Sequence, residues 1–220
     1  NNPDQHLSLT IRSGGTDMSG AAVTDSLILD MSKHFNKILK LEKDSATIEP
    51  GVFYRDFEPE TLKKGLLLPT YPSSREICTV GGMVNNNSAG EKTLVFGQTE
   101  KFVESLKIIL SDGNEYTFEP QSKDDLDKKI AQKNFEGEVY RNMYKLVTQN
   151  LNLIKTAEPQ VSKNSAGYLL WKIWNGQTFD LSKLICGAQG TLGIVTEIKF
   201  KLIQPKKHTK LLVIFLYNIS

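Results

Sequence analysis

Alternating runs of apolar and polar residues recur along the chain and predict several short strands. Residues 36–51 are typical of two strands joined by the polar turn Lys43-Asp44-Ser45. Residues 103–120 predict a second hairpin, which turns across residues 111–114. The other strand-like runs lie at residues 7–12, 26–31, 193–203 and 210–218.

Apolar residues at three- and four-residue steps predict helices between residues 122 and 157, with a stripe that packs into a core. Residues 54–65 predict a short helix closed by Gly65, and a further helix is expected around residues 180–188. Strands and helices therefore alternate in an α+β fold. The stripe consists of Leu126, Ile130, Val139, Met143, Leu146, Val147, Leu151 and Ile154.

Composition excludes several classes of function. A formal net charge of +2 over 220 residues is too small to favour nucleic acid or an anionic membrane as partner. The apolar run at residues 211–218 suits a buried strand and is too short to cross a bilayer. The three histidines and two cysteines lack metal-ligand spacing, so no metal site is predicted. Two isolated thiols, Cys78 and Cys186, favour a reducing compartment.

The first of three glycine-rich loops follows the first predicted strand, as Arg12-Ser13-Gly14-Gly15-Thr16-Asp17-Met18-Ser19-Gly20. Glycines adopt positive φ readily and let backbone amides approach an anion. The loop suits a phosphate site or a plain turn. Two common phosphate loops are excluded, because G-x-G-x-x-G is absent and Ala21-Ala22 stands where a Walker loop needs Lys-Ser/Thr.

The second loop lies within residues 70–90, where Thr79-Val80-Gly81-Gly82 leads into a predicted short helix from Met83 to Asn87, capped by Gly90. Free amides at a helix start would form an anion site. The three asparagines at residues 85–87 could read a heterocycle or a ribitol-like chain, because an amide both donates and accepts. The alternative is a surface turn with Asn in the left-handed region.

The third loop, residues 187–193, leads directly into a predicted buried strand. Glycines there mark a close backbone approach, either to another part of the chain in a tight turn or to a ligand. Each loop alone is ambiguous. Three of them at the ends of strands and helices suit a long ligand with a diphosphate and a planar ring.

The order of these motifs resembles the FAD-binding (PCMH-type) domain of the FAD-linked oxidases of the vanillyl-alcohol oxidase superfamily. The resemblance rests on "RSGGTDMSG", "CTVGGMVNNNSAG" and "CGAQGTLGIVTEIKFKL" and covers roughly residues 9–218. Its nearest branch is the glycolate oxidase and D-lactate dehydrogenase group. The resemblance implies a two-subdomain fold with small mixed sheets flanked by helices.

The resemblance also implies which residues bind FAD. The first loop would hold the diphosphate, the second segment would run along the flavin and ribityl chain, and the third loop would lie near the adenine and diphosphate. The implied cofactor-binding residues are Ile11, Arg12, Ser13, Gly14, Gly15, Thr16, Asp17, Met18, Ser19, Gly20, Pro72, Ser73, Ser74, Cys78, Thr79, Gly81, Gly82, Asn85, Asn86, Ser88, Gln189, Gly190, Thr191, Gly193 and Ile194.

Two departures from the family pattern matter. Members with histidine-linked flavin carry that histidine where this chain has Thr16, so a non-covalent FAD is expected. Gln189 stands where the family has an acidic residue, which removes a charge but keeps hydrogen bonding.

The resemblance further implies the division of the chain. Residues 1–208 would form the FAD-binding domain, with subdomains near 1–98 and 99–208, and residues 209–220 would begin a C-terminal substrate or cap domain. The family's first β-α-β unit and the rest of the cap domain are expected to be missing from this chain. The residues that bind the substrate and act as base are expected to be missing with the cap domain.

The function implied is the FAD-binding portion of an oxidoreductase that oxidises a small 2-hydroxy acid by hydride transfer to FAD. The substrate would be bound through the cap domain, and an electron-transfer partner or iron–sulfur module is expected. The location implied is the cytoplasm, or the periphery of the inner membrane. The alternatives are a truncated module that no longer binds FAD and a sibling reaction on the same scaffold, such as a UDP-sugar reductase or an aldonolactone oxidase.

Overall fold

The computed structural model of the chain describes residues 7–208 and 210–215. In these residues a small parallel sheet joins β1 (Leu9–Arg12) to β2 (Leu27–Asp30), with Leu9 opposite Leu27. The first glycine-rich loop follows β1 directly, and the backbone amide of Met31 donates to the carbonyl of Arg12 (2.9 Å). The two strands predicted around this loop are confirmed.

The larger sheet is antiparallel throughout and has the strand order β3-β4-β7-β5-β6. Both predicted hairpins are confirmed within it, and its middle strand is β7. Because β7 lies at the centre, the third glycine-rich loop that precedes it lies at the end of the central strand. The strands are β3 (Ile38–Leu41), β4 (Ser45–Ile48), β5 (Val103–Ile109), β6 (Glu115–Phe118) and β7 (Ile194–Lys201).

The longer helices agree with the apolar periodicity. Most of the predicted stripe is buried or packs against the core, but Leu146 is 42% exposed, so the prediction was wrong there. Tyr140 faces inward instead and packs its ring edge-on against Phe118, with centroids 6.1 Å apart. These helices are α1 (Tyr54–Lys63), α4 (Lys123–Ala131), α5 (Phe135–Gln149) and α6 (Leu151–Thr156).

The short helices differ from the prediction at their ends. The helix α2 begins three residues earlier than expected and ends in a Schellman motif, because the amide of Ser88 donates to Met83 and that of Asn87 to Val84. Asn87 takes the left-handed position at φ 46°, so Gly90 is not the cap. The short helices are α2 (Val80–Asn85), α3 (Thr93–Phe96), α7 (Leu170–Ile173) and α8 (Ser182–Ile185).

The last predicted strand does not form in the residues that the structure describes. Residues 210–215 have no regular structure, and the side chains from Leu211 to Phe215 are exposed. An apolar run becomes a strand only where another strand supplies backbone partners, and none of the described strands pairs with it. The remainder of the predicted strand, residues 216–218, lies outside the described residues.

Candidate functional site

The three glycine-rich loops meet at one cleft of about 420 Å³, between β1, the start of α2 and the start of β7. This volume lies in the range of small-molecule and cofactor sites. The residues implied by the resemblance that line it are Ile11, Ser13, Gly14, Gly15, Thr16, Asp17, Met18, Pro72, Ser73, Ser74, Cys78, Thr79, Gly81, Gly82, Asn85, Asn86, Ser88, Gln189, Gly190 and Gly193.

Five implied residues lie outside the wall: Arg12, Ser19, Gly20, Thr191 and Ile194. Arg12 braces the first loop from behind, since its guanidinium donates to the carbonyl of Ala22 (3.2 Å). A Cβ on Gly15 would lie 2.4 Å from that guanidinium, and Gly15 has a φ of +65°. The guanidinium is the end of a flexible side chain and can move aside, so it is the positive φ that favours glycine there.

Residues that the sequence did not single out complete the wall. Most are small or apolar and contribute surface without a recognisable motif. Lys163 is the exception, and it reaches the cleft from a loop more than seventy positions beyond the second glycine-rich loop, a proximity that only the fold creates. The additional residues are Ala21, Ala22, Met31, Pro50, Met83, Ala89, Lys163 and Val195.

The first loop provides free backbone amides. In the described part of the chain, the amides from Gly14 to Asp17 donate to no protein acceptor, whereas the flanking strand is paired. The carboxylate of Asp17 accepts instead from the amide (3.2 Å) and the hydroxyl of Ser19. Unpaired amides in a glycine-rich turn suit an anionic oxygen, so this loop has the donors that a diphosphate needs.

The second loop differs from the prediction, because the amides at its helix start are not free. The amide of Val80 donates to Val52 and that of Gly81 donates to Pro50, at 2.9 and 2.8 Å. The amide of Gly82 is capped by the hydroxyl of Thr79 (3.4 Å). The expected anion site at this helix start was therefore wrong, and the loop contributes surface and side chains instead.

The surface at Gly82 is open toward the cleft. A Cβ built there would meet only Ser13 and Thr79, both at 3.6 Å, which is ordinary contact. At Gly81, by contrast, a Cβ would lie 2.4 Å from Pro50. Gly81 is thus required by packing within the protein, whereas the space beside Gly82 belongs to the cleft.

Asn85 and Asn86 join the second loop to the third. The amide of Gly190 donates to the Asn85 side chain (3.1 Å), and the amide of Gln189 to the Asn85 carbonyl (2.9 Å). The side-chain amide of Gln189 donates to Asn86 Oδ1 (3.0 Å). Much of the hydrogen-bonding capacity of these asparagines is therefore occupied within the protein, which leaves less of it to read a heterocycle than the sequence suggested.

Asn87 anchors the other side of the second loop. Its side chain accepts from the amide of Glu100 (3.0 Å) and its carbonyl accepts from the side chain of Gln98 (2.6 Å). Asn87 is only 1% exposed. The alternative of a surface turn was therefore wrong, although its left-handed asparagine is present.

The rest of the wall is close to neutral. Burial raises the pKa of the Cys78 thiol to about 11, so this thiol is protonated at neutral pH. Thr16, where the resemblance led us to expect no covalent attachment, lies in the wall. Free amides for a diphosphate, open glycine surface and a mostly neutral wall together fit FAD.

Comparison with known proteins agrees with this fit. Residues 3–119 match the family described as FAD binding domain. The chain is 30% identical to a D-2-hydroxyglutarate dehydrogenase of Pseudomonas putida, over 94% of this chain and 21% of that protein. It is also 30% identical to a glycolate oxidase subunit of Bacillus subtilis, over 98% of this chain and 36% of that protein. The chain thus spans well under half of these relatives.

A solved structure supports the fold. The chain aligns with alkyldihydroxyacetonephosphate synthase at a TM-score of 0.57 and 18% identity, over 93% of this chain and 29% of that one. The α+β fold predicted from the sequence is therefore confirmed. The chain belongs to the FAD binding domain family, and FAD is the cofactor that its cleft fits.

Proposed function

We propose that this chain is the FAD-binding portion of a flavin-dependent oxidoreductase that oxidises a small 2-hydroxy acid. The observation that carries the proposal is the convergence of three glycine-rich loops on one cleft with free amides at one end. The substrate class is supported by relatives named as dehydrogenases or oxidases of 2-hydroxyglutarate, glycolate and lactate.

The residues of this chain would bind and orient the cofactor. The amides from Gly14 to Asp17 would hold the diphosphate, Gly82 would allow the ribityl chain to approach, and Gly190 would face the adenine half. When bound, FAD supplies the acceptor for the hydride that leaves the substrate carbon. The base that takes the hydroxyl proton and the groups that select the substrate would come from residues outside this chain.

The cofactor would be held without a covalent bond. Thr16 offers no imidazole for attachment, and the Cys78 thiol is protonated and buried at 3% exposure. We infer further that the whole protein acts in the cytoplasm or at the periphery of the inner membrane and passes electrons to a protein partner or iron–sulfur module. Among the described residues, no helix has both the length and the apolarity to cross a bilayer.

Two measurements test this function. The purified protein is mixed with FAD, desalted and scanned for flavin absorbance, which should be retained and then released by acid precipitation. Anaerobic addition of D-lactate, glycolate or D-2-hydroxyglutarate to the whole protein should then bleach the flavin band. If the protein retains no FAD after desalting and does not bind FAD at tens of micromolar, the chain is instead a module that has lost its cofactor. Retention with bleaching only by another substrate class would identify a sibling reaction.

A further inference from the structure

The charges in the cleft wall are few. Among the described residues that line it, the charged side chains are Asp17 and Lys163. The carboxylate of Asp17 already accepts two hydrogen bonds from Ser19. FAD carries its permanent negative charge on the diphosphate, so the one basic side chain of the wall is the natural counter-charge.

Lys163 has donors available for this role. Its ammonium group donates to the carbonyl of Ala89 at 3.4 Å, a long hydrogen bond that occupies one of its three N–H groups. The residue is solvent-exposed at the rim of the cleft, on the side where the second loop ends. Two N–H groups therefore remain for a bound anion while the hydrogen bond to Ala89, a buried residue, is kept.

The segment that carries Lys163 is fixed to the core. The amide of Asn164 donates to Gln98 Oε1 (2.7 Å), and Gln98 Nε2 donates both to the Asn87 carbonyl (2.6 Å) and to Ser165 Oγ (3.3 Å). Asn87 is buried at 1% exposure. The two residues that follow Lys163 are thus tied to a buried anchor, which holds the lysine at the cleft although its loop is otherwise exposed.

We propose that Lys163 is an FAD-binding residue whose ammonium group pairs with the diphosphate, and that Gln98 is the positioning residue that holds it there. This inference rests on the proposed binding of FAD in the cleft. It adds a cation supplied by a loop outside the three glycine-rich loops.

The test compares Lys163→Met with Lys163→Arg and with Lys155→Met as the matched control. Lys155 is an exposed lysine of α6 that does not line the cleft. We expect FAD to bind about tenfold more weakly to Lys163→Met at low salt, as for loss of a charge-assisted hydrogen bond. Arginine should restore most of the affinity, and the control should match the wild type.

Salt provides the second readout. The dissociation constant of the wild type should rise with sodium chloride more steeply than that of Lys163→Met, because a screened charge pair has been removed. If the wild type binds FAD and Lys163→Met binds it equally well with the same salt dependence, the inference is wrong and the proposed function stands. If the wild type itself does not bind FAD, the proposed function fails first.

The role of Gln98 is tested through Lys163. Gln98→Ala should weaken FAD binding in the wild-type background and have little further effect in Lys163→Met, because both changes remove the same contact. An equal loss in both backgrounds would show that Gln98 acts on the cleft independently of the lysine and would refute its positioning role.

Discussion

The glycines of this cleft have different roles, and the atoms around each glycine determine its role. Gly15 has a positive φ beneath the Arg12 guanidinium, Gly81 is pressed against Pro50, and Gly82 faces open space. Of the three, only Gly82 leaves open space where a side chain would stand, whereas Gly15 offers a free backbone amide. A glycine-rich motif therefore marks the site, but the contacts of each glycine separate folding from binding.

Gly82→Val should separate these roles directly. The added side chain projects into the cleft and meets Ser13 and Thr79 only at 3.6 Å, so we expect the fold to be kept. FAD affinity should fall at least about tenfold, since a side chain occupies the space that backbone contact needs. Thermal unfolding and FAD titration measure the two effects. Normal binding by this variant would remove Gly82 from the site.

Glu100 is a buried glutamate whose ionised side chain lowers the stability of the folded protein. Burial raises its pKa above the usual range, and this outweighs the attraction of Lys183, Lys172 and Lys101. The folded protein therefore holds this proton to higher pH than the unfolded chain, so its contribution to stability declines as pH rises from the ordinary glutamate pKa through the raised one.

Glu100→Gln should consequently raise the melting temperature at pH 7 by about 2–4 °C if it recovers about 1 kcal/mol. The advantage should vanish at about pH 3, below the ordinary glutamate pKa, where the wild-type carboxyl is protonated in both states. Thermal melts across this pH range measure it, with the exposed Glu138→Gln as control. A destabilised variant at pH 7 would mean that the lysines outweigh burial.

At the scale of elements, α2 organises the site more than it binds ligand. Its first amides are occupied by Val52, Pro50 and Thr79, and its last residues bind the third loop. A helix of six residues fixed at both ends is a rigid junction between loops. The second and third glycine-rich loops are therefore held in a fixed relation through α2.

Asn85→Ala tests this junction. It leaves the amide of Gly190 without its acceptor and so removes one of the three hydrogen bonds described above between the second and third loops. We expect a loss of stability of about 1 kcal/mol and weaker FAD binding, measured by denaturant unfolding and FAD titration. Asn150→Ala is a control, because the hydrogen bond of its side chain among the described residues goes to the nearby carbonyl of Leu146, away from the cleft. Unchanged FAD binding in Asn85→Ala would show that the third loop is placed by other contacts.

At the scale of the whole molecule, the cleft lies between the small parallel sheet, α2 and the central strand β7, so parts far apart in sequence must pack before it exists. Binding of FAD to the folded state alone should stabilise all of them. At a free FAD concentration one hundred times the dissociation constant, the gain is about 2.7 kcal/mol.

That gain should raise the melting temperature by about 5–10 °C for a domain of this size. Thermal melts recorded by circular dichroism with and without FAD measure the shift. AMP at the same concentration serves as the control for a nucleotide that lacks the flavin and the diphosphate. An unshifted transition with FAD would contradict binding in the cleft.

Much of this architecture is readable from local pattern. The hairpins at β3–β4 and β5–β6 and the helices α4 to α6 follow from apolar periodicity and turn residues, because their partners are near in sequence. The terminal run 210–215 shows the limit of such reasoning, since apolarity alone supplies no strand partner. The prediction that Leu146 is buried was wrong for a related reason, because tertiary packing buries Tyr140 of the same helix and leaves Leu146 exposed.

The amino-acid sequence by itself determined the family and its cofactor, because three glycine-rich motifs in a set order specify loops that only glycine and small residues can form. Tertiary structure decided what each motif does. In the folded chain, the first amides of α2 donate to protein acceptors, and Asn85 and Asn86 hydrogen-bond to the third loop. Folding also buries Asn87 and brings Lys163 to the cleft. These outcomes depend on which groups lie within hydrogen-bond distance after folding, and spacing along the chain does not encode that distance.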